Sequence, residues 1–325
     1  VILTATSGDT GKAALEGFHD VPGTDITVFF PDGGVSPMQK AQMVTQEGAN
    51  VRVCAVRGNF DDCQRGVKEA FACFNASRAD YPGRILSSAN SINIGRLVPQ
   101  IVYYVYSYIR LLESGKIGDG EKINICVPTG NFGNILAAYF AKEMGVPVNR
   151  LICASNDNKV LTDFINTGLY DIRPETRSFK LTNSPSMDIL ISSNLERLLY
   201  LMNGRNGELT SEWMMSLEKL KFYLTFDSPE LMSSIKLFYG GWATEAETLD
   251  AISGMWNEEG YLMDTHTAVC YKVYKDYFAN TGDDTPTLIC STASAYKFAE
   301  ACGHAVGADE SAGTEAGGFG DDALV

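Results

Sequence analysis

Residues 128–134 read Pro128-Thr129-Gly130-Asn131-Phe132-Gly133-Asn134. The stretch closes an apolar, β-branched run at 122–127 and opens an apolar helical pattern at 134–144. Glycines at 130 and 133 permit unusual backbone angles and let the main chain approach a ligand closely. A helix starting there adds its positive end and its free N–H groups, a setting suited to a phosphate monoester. The spacing is not G-x-G-x-x-G, which disfavours a dinucleotide, and no G-K-[ST] follows for a nucleoside triphosphate. Taken alone, the pattern fits an ordinary strand-to-helix turn equally well.

The same alternation extends in both directions. Upstream, strands at 1–6, 25–30, 50–56 and 84–87 alternate with helices that begin near 10–12, at 37 and at 61. Downstream, a helix at 97–113 carries apolar residues every three to four positions. Strands at 122–127, 150–154 and 287–289 follow, with helices at 134–144, 186–201, 211–220 and 265–279. This rhythm predicts an α/β fold of parallel strands with crossover helices. The 325 residues, 45% of them hydrophobic, suffice for two packed units. The expected division is a smaller α/β domain at 1–88 and a larger one at 89–306. The remainder, 307–325, has five Asp or Glu, five Gly and no Lys or Arg, and reads as a disordered, solvated tail.

The formal net charge of −14 argues against nucleic-acid and anionic-membrane partners. A phosphorylated ligand would therefore need local devices such as helix N-termini and a few placed cations. No stretch reaches the ~18 apolar residues of a membrane helix, and the first residues show no basic region followed by an apolar run and a cleavage site. The eight cysteines form no C-x-x-C pair, and several sit in apolar runs. They read as free thiols of a reducing, cytoplasmic protein, with no metal-ligand spacing.

Four further polar segments offer chemistry. Thr6-Ser7-Gly8-Asp9-Thr10-Gly11 stands at a helix start and could close around a carboxylate, or could simply be an N-cap. Asn90-Ser91-Ile92-Asn93 with Arg96 offers amides, a hydroxyl and a guanidinium suited to phosphate, or a polar cap with a solvated arginine. Ser291-Thr292-Ala293 places a hydroxyl after a strand, where it could meet a heterocycle or a backbone group. His266, preceded by Asp264, could line a site or cap a helix.

The order of these blocks, together with Ser36-Pro-Met-Gln-Lys40, Ser184-Pro-Ser-Met-Asp188 and Lys297-Phe298, resembles that of the threonine synthases. These are fold-type II enzymes dependent on pyridoxal phosphate (PLP). The resemblance runs from residue 1 to about residue 300, on the bacterial and fungal branch. It implies a tryptophan synthase β-like architecture of two open, mostly parallel sheets flanked by helices. It also implies the conversion of O-phospho-L-homoserine and water to L-threonine and phosphate, by a monomer or homodimer. Gly130, Asn131, Phe132, Gly133 and Asn134 would hold the PLP phosphate, Asp9 would lie near its ring hydroxyl, and Thr292, or else Ser291, would face the pyridine nitrogen. Ser7, Thr10 and Gly11 would surround the substrate carboxylate, and Asn90, Ser91 and Arg96 its phosphate.

Two departures stand out. Many relatives have Thr-Ala-His-Pro where this chain reads Thr292-Ala293-Ser294-Ala295. The family's Schiff-base lysine lies in a Phe-Lys-Asp motif that nothing in 1–325 matches; Lys12 and Lys40 belong to other blocks. Because the chain opens inside an apolar run at Val1, that lysine is expected upstream of it. The alternatives are a dehydratase-like or β-replacement enzyme of the same fold, and a non-catalytic binding protein that kept the PLP loop. Arg96 with Asn90 and Ser91 argues against the dehydratase, whose substrates carry no phosphate.

Overall fold

The computed structural model describes residues 1–308; the rest of the predicted acidic tail lies outside the described residues. Two open sheets, each wholly parallel, organise the chain. In the first, β1 (Ile2–Ala5), β2 (Ile26–Pro31) and β3 (Val51–Val56) lie in the order β1-β2-β3, with Ile2 opposite Ile26 and Val28 opposite Val53. In the second, β4 (Ile123–Pro128), β5 (Val148–Ser155), β8 (Phe238–Trp242) and β9 (Thr287–Ile289) run in the order β8-β5-β4-β9. A small antiparallel pair, β6 (Leu169–Asp171) and β7 (Phe222–Leu224), stands apart.

The period-two alternation of the strands sorts their side chains onto helices. Ile2, Ile26 and Val28 pack on Leu15 and Met43, from the helices Asp9–Phe18 and Pro37–Val44. On the opposite face, Ala5 meets Phe60, Cys63 and Val67 of the helix Phe60–Ala76. In the larger sheet, Ile125, Val127, Leu151 and Cys153 face Ile135 and Leu136 of the helix Gly133–Glu143. Cys126, Ile152 and Ala154 face Val269, Cys270 and Val273 of the helix Thr265–Thr281. With both faces covered, β4 is apolar apart from the buried Asn124, whose amide donates to Asp283 Oδ2 at 3.1 Å and accepts from Asn149 at 3.0 Å. Among the described residues no helix is long and apolar enough to cross a membrane.

Several expectations are corrected. Residues 84–87 form no strand; Ser87 makes one parallel bridge to Ile2, which sets β1 between it and β2. The expected helix at 97–113 begins earlier, as Ile94–Leu97, tightens to a 3₁₀ turn at Val98–Gln100 and continues as Ile101–Glu113. Pro99, with no N–H to donate, sits in that tight turn. The expected helix at 186–201 is only a turn at Pro185–Met187 and a helix at Leu195–Met202. β8 was missed because it carries Gly240 and Gly241, residues that depress strand propensity. There a Cβ on Gly240 would meet the Thr162 carbonyl oxygen at 2.9 Å, and one on Gly241 the Val273 Cγ1 at 2.5 Å. Close packing of helices on both faces, not propensity, selects those glycines.

Gly11 is corrected in the same way. It is buried against the sheet rather than facing a substrate. An added Cβ would lie 2.6 Å from Thr6 Cγ2 and 2.7 Å from Met43 Sδ. Its N–H is spent on Thr6 Oγ1 and the Gly8 carbonyl. Gly11→Ala is therefore expected to lower stability in urea denaturation by about 1–3 kcal/mol, the usual cost of overpacking. An unchanged midpoint would contradict this placement.

Candidate active site

A cleft of about 240 Å³ opens at the carboxyl ends of β1, β4 and β9. β4 lies between the parallel strands β5 and β9, and β1 between β2 and the single bridge at Ser87; crevices at such strand ends are the usual ligand position in open α/β sheets. Of the thirteen residues singled out in the sequence, twelve line this cleft: Ser7, Asp9, Thr10, Asn90, Ser91, Arg96, Gly130, Asn131, Phe132, Gly133, Asn134 and Thr292. The exception is Gly11.

The floor is the 130–134 loop. Among the described residues, none accepts a hydrogen bond from the N–H groups of residues 130–135. The carbonyls are held from behind: Ser192 Oγ donates to the Gly130 oxygen (2.8 Å), and Asn194 donates to the Asn131 oxygen from Nδ2 (2.9 Å) and from its backbone N–H (3.1 Å). Phe132 adopts a left-handed conformation (φ 62°) that ends the loop and caps the helix Gly133–Glu143, and its ring is buried against Phe238 at 5.7 Å. Gly130 is obligatory, because a Cβ would lie 2.7 Å from the Ser186 carbonyl oxygen. The Asn134 amide oxygen accepts from the Tyr104 hydroxyl, which burial keeps protonated.

A second set of free N–H groups lies across the cleft. Gly8, at φ 141°, makes room for Gln39, whose amide donates to Asp9 Oδ1 at 3.0 Å. Lys297 Nζ lies 3.1 Å from the same oxygen, so Asp9 meets the cleft already neutralised. Thr6 Oγ1 accepts from the N–H groups of Gly8 and Gly11, which leaves those of Ser7, Asp9 and Thr10 without acceptors among the described residues.

Asn90 differs from expectation. Its side chain is buried and spent on the backbone of β1: Nδ2 donates to the Ala5 oxygen, and Oδ1 accepts from the Ala5 N–H at 2.8 Å. It ties its segment to the strand end rather than offering an amide to a ligand. Arg96 donates to the Ala89 carbonyl at 2.5 Å and, among the described residues, has no ion-pair partner; burial lowers its pKa. Ser91 and Thr292 line the rim; the Ser91 hydroxyl lies 3.5 Å from that of Ser193, and the Thr292 hydroxyl has no hydrogen-bond partner among the described residues.

His266 also lines the cleft. Asp264 is the helix cap, accepting from the His266 N–H (2.9 Å) and from Nδ1 (3.1 Å), while Nε2 accepts from the Ser186 N–H at 3.3 Å. Sequence reasoning missed Ser192, Ser193, Asn194, Arg197 and Tyr104. Ser-Ser-Asn ahead of an apolar helix is a capping signature, hidden when the helix is begun too early.

No family model matches the chain. Threonine synthase-like 1 from Pongo abelii is 45% identical over 308 residues, covering 93% of this chain and 41% of the relative. Threonine synthase from Schizosaccharomyces pombe is 37% identical over 318 residues, covering 92% and 60%. Among solved structures, PLP-bound threonine synthase from Brucella melitensis aligns with a TM-score of 0.81 at 39% identity, covering 94% of this chain and 62% of that one. The yeast threonine synthase structure gives 0.82 at 32% identity, covering 98% and 63%. Over most of its length the chain is a homologue of the threonine synthases. It has the fold-type II architecture of these structural neighbours, and it spans less than two thirds of the length of the relatives above.

Behind Phe60 on the cleft wall, burial raises the Asp61 carboxyl to about 6, against a hydrogen bond from Leu190 that favours the ionised form. A raised carboxylate pKa means that folding favours the protonated state. Stability is then full below the unfolded pKa of about 3.9 and declines as pH rises to about 6. Asp61→Asn is expected to match the parent near pH 4 and to exceed it by roughly 1–3 kcal/mol at pH 7.5 in urea titrations. A variant less stable at both pH values would refute the burial argument.

Proposed function

We propose that the cleft holds pyridoxal phosphate and that this threonine synthase relative converts O-phospho-L-homoserine and water to L-threonine and phosphate. The carrying observation is the run of unpartnered N–H groups at residues 130–135, facing a cleft that also contains an arginine with no ion-pair partner among the described residues. One feature suits the cofactor phosphate and the other a second, substrate phosphate.

The residues fit PLP. Gly130 through Asn134 would receive the phosphate on backbone donors that Ser192 and Asn194 turn toward the cleft. Thr292 would offer the pyridine nitrogen a hydroxyl rather than a carboxylate, which would leave that nitrogen unprotonated. Asp9 would lie near the ring hydroxyl, where a bare carboxylate would repel a phenolate; Lys297 and Gln39 offset its charge. When bound, PLP supplies an electron sink for the carbanion at the substrate Cα. The protein's part is positioning. Ser7 and Thr10, with the free N–H groups at the start of the helix Asp9–Phe18, orient the carboxylate. Arg96 and Ser91 hold the leaving phosphate at the far end.

A second reading, a PLP-fold lyase of another substrate or a non-catalytic binding protein, draws on two observations. Among the described residues lining the cleft there is no lysine, and the 45% identity is to threonine synthase-like 1 rather than to threonine synthase.

Arg96→Ala separates the readings. Losing a charge-assisted contact worth about 1.5–3 kcal/mol, it should raise KM for O-phospho-L-homoserine by roughly 10- to 100-fold. PLP affinity should change little. Equal losses in both would remove Arg96 from the substrate phosphate. Borohydride reduction of the PLP-loaded chain, read by peptide mass spectrometry, should leave Lys297 and every other lysine of 1–308 unmodified; a reduced adduct at any of them would overturn the cleft assignment.

A further inference from the structure

Arg197 lies on the first turn of the helix Leu195–Met202, outside every segment that the sequence singled out. Its guanidinium spans two elements. Nη1 donates to Asn194 Oδ1, and Nη2 donates to the Ile92 carbonyl at 2.6 Å. Asn194 is fully buried and passes the contact on, because its own Nδ2 donates to the Asn131 oxygen at 2.9 Å. A second bridge runs alongside. Ser91 and Ser193 hydroxyls lie 3.5 Å apart, and Ser193 Oγ donates to Asn131 Oδ1 at 3.0 Å. Two hydrogen-bonded paths thus join segment 90–93 to loop 130–134. Arg197 forms no ion pair among the described residues, so both of these hydrogen bonds are made to neutral acceptors.

We infer that Arg197 is a positioning residue that couples the two anion sites of the cleft. The inference rests on the proposed pairing of a cofactor phosphate at loop 130–134 with a substrate phosphate at segment 90–96. The physical reason is that both segments are irregular backbone, held by hydrogen bonds rather than by a sheet ladder. An anion on either one must immobilise it. A rigid three-donor tie makes one immobilisation serve both, so occupancy of one site lowers the entropic cost at the other. Such coupling is reciprocal. Arg96 differs in kind: it reaches into the cleft, whereas Arg197 acts only through Asn194 and Ile92.

The test uses the full chain and two probes, PLP and the desamino phosphonate isostere of O-phospho-L-homoserine, which has no amine to condense with the PLP aldehyde, each titrated with and without the other. Wild type should bind each probe about tenfold more tightly when the other is present, within the usual range of coupling between sites. Arg197→Met should weaken both probes and bring the coupling factor close to one, while the thermal midpoint of the unliganded protein stays near that of wild type. Arg197→Lys, which keeps the charge and can reach one of the two acceptors, should recover part of the coupling; it also serves if the methionine variant fails to fold. Arg96→Gln should weaken only the phosphonate. Wild type binding both probes with no coupling, or Arg197→Met and Arg197→Lys retaining wild-type coupling, would overturn the inference alone. Wild type binding neither probe would overturn the functional reading and the inference with it.

Discussion

Ser192 and Asn194 hold the carbonyl oxygens of Gly130 and Asn131, and that one-sided grip decides which way the loop's N–H groups point. A peptide unit pinned by its oxygen must aim its N–H the other way, because the unit is planar. With β4 buried beneath it and the Gly133–Glu143 helix behind, the loop has no internal acceptors left to satisfy. Everything else in the cleft is arranged around that surplus of donors. Gly130 is glycine because the 185–187 turn packs flat against it, and that turn is held in place by His266 and Asp264.

The electrostatics follow from the same economy. A chain with net charge −14 meets phosphate through a few local groups rather than through its overall field. Arg96 and Arg197 are left without carboxylate partners among the described residues, while the acid that faces the cleft, Asp9, is paired with Lys297. Pairing Asp9 across the two halves of the molecule brings the helix Asp9–Phe18 and the 295–298 turn into register over the opening. Ser36, which donates to the Lys297 carbonyl at 2.9 Å, reinforces that contact from the adjoining helix.

Local patterns were legible where one physical cause dominated. The strand ends at β2, β3 and β9 and the start of the helix Pro37–Val44 follow from β-branched runs and from Ser36 with Gln39 as a capping box. Legibility failed where two causes competed. Gly240 and Gly241 are poor strand residues by propensity, yet packing against Thr162 and Val273 requires them. Gly11 shares a motif with real cleft residues but serves the core. Asn90 shares one with Ser91 and Arg96, yet its amide is consumed by Ala5. A motif records that neighbouring residues matter together, without separating those that touch a ligand from those that hold the others still.

The sequence by itself determined the α/β alternation, the strand–loop–helix context of residues 128–134 and the set of polar segments that could converge. It did so because strand and helix periodicity, glycine freedom and capping are properties of adjacent residues. The tertiary structure alone decided that these segments share one cleft, that Ser192, Asn194 and Arg197 support it, and that Gly11 does not belong to it. Those facts depend on which strand ends lie side by side and which donors find acceptors, and both are set by pairings across 60 to more than 100 residues of chain.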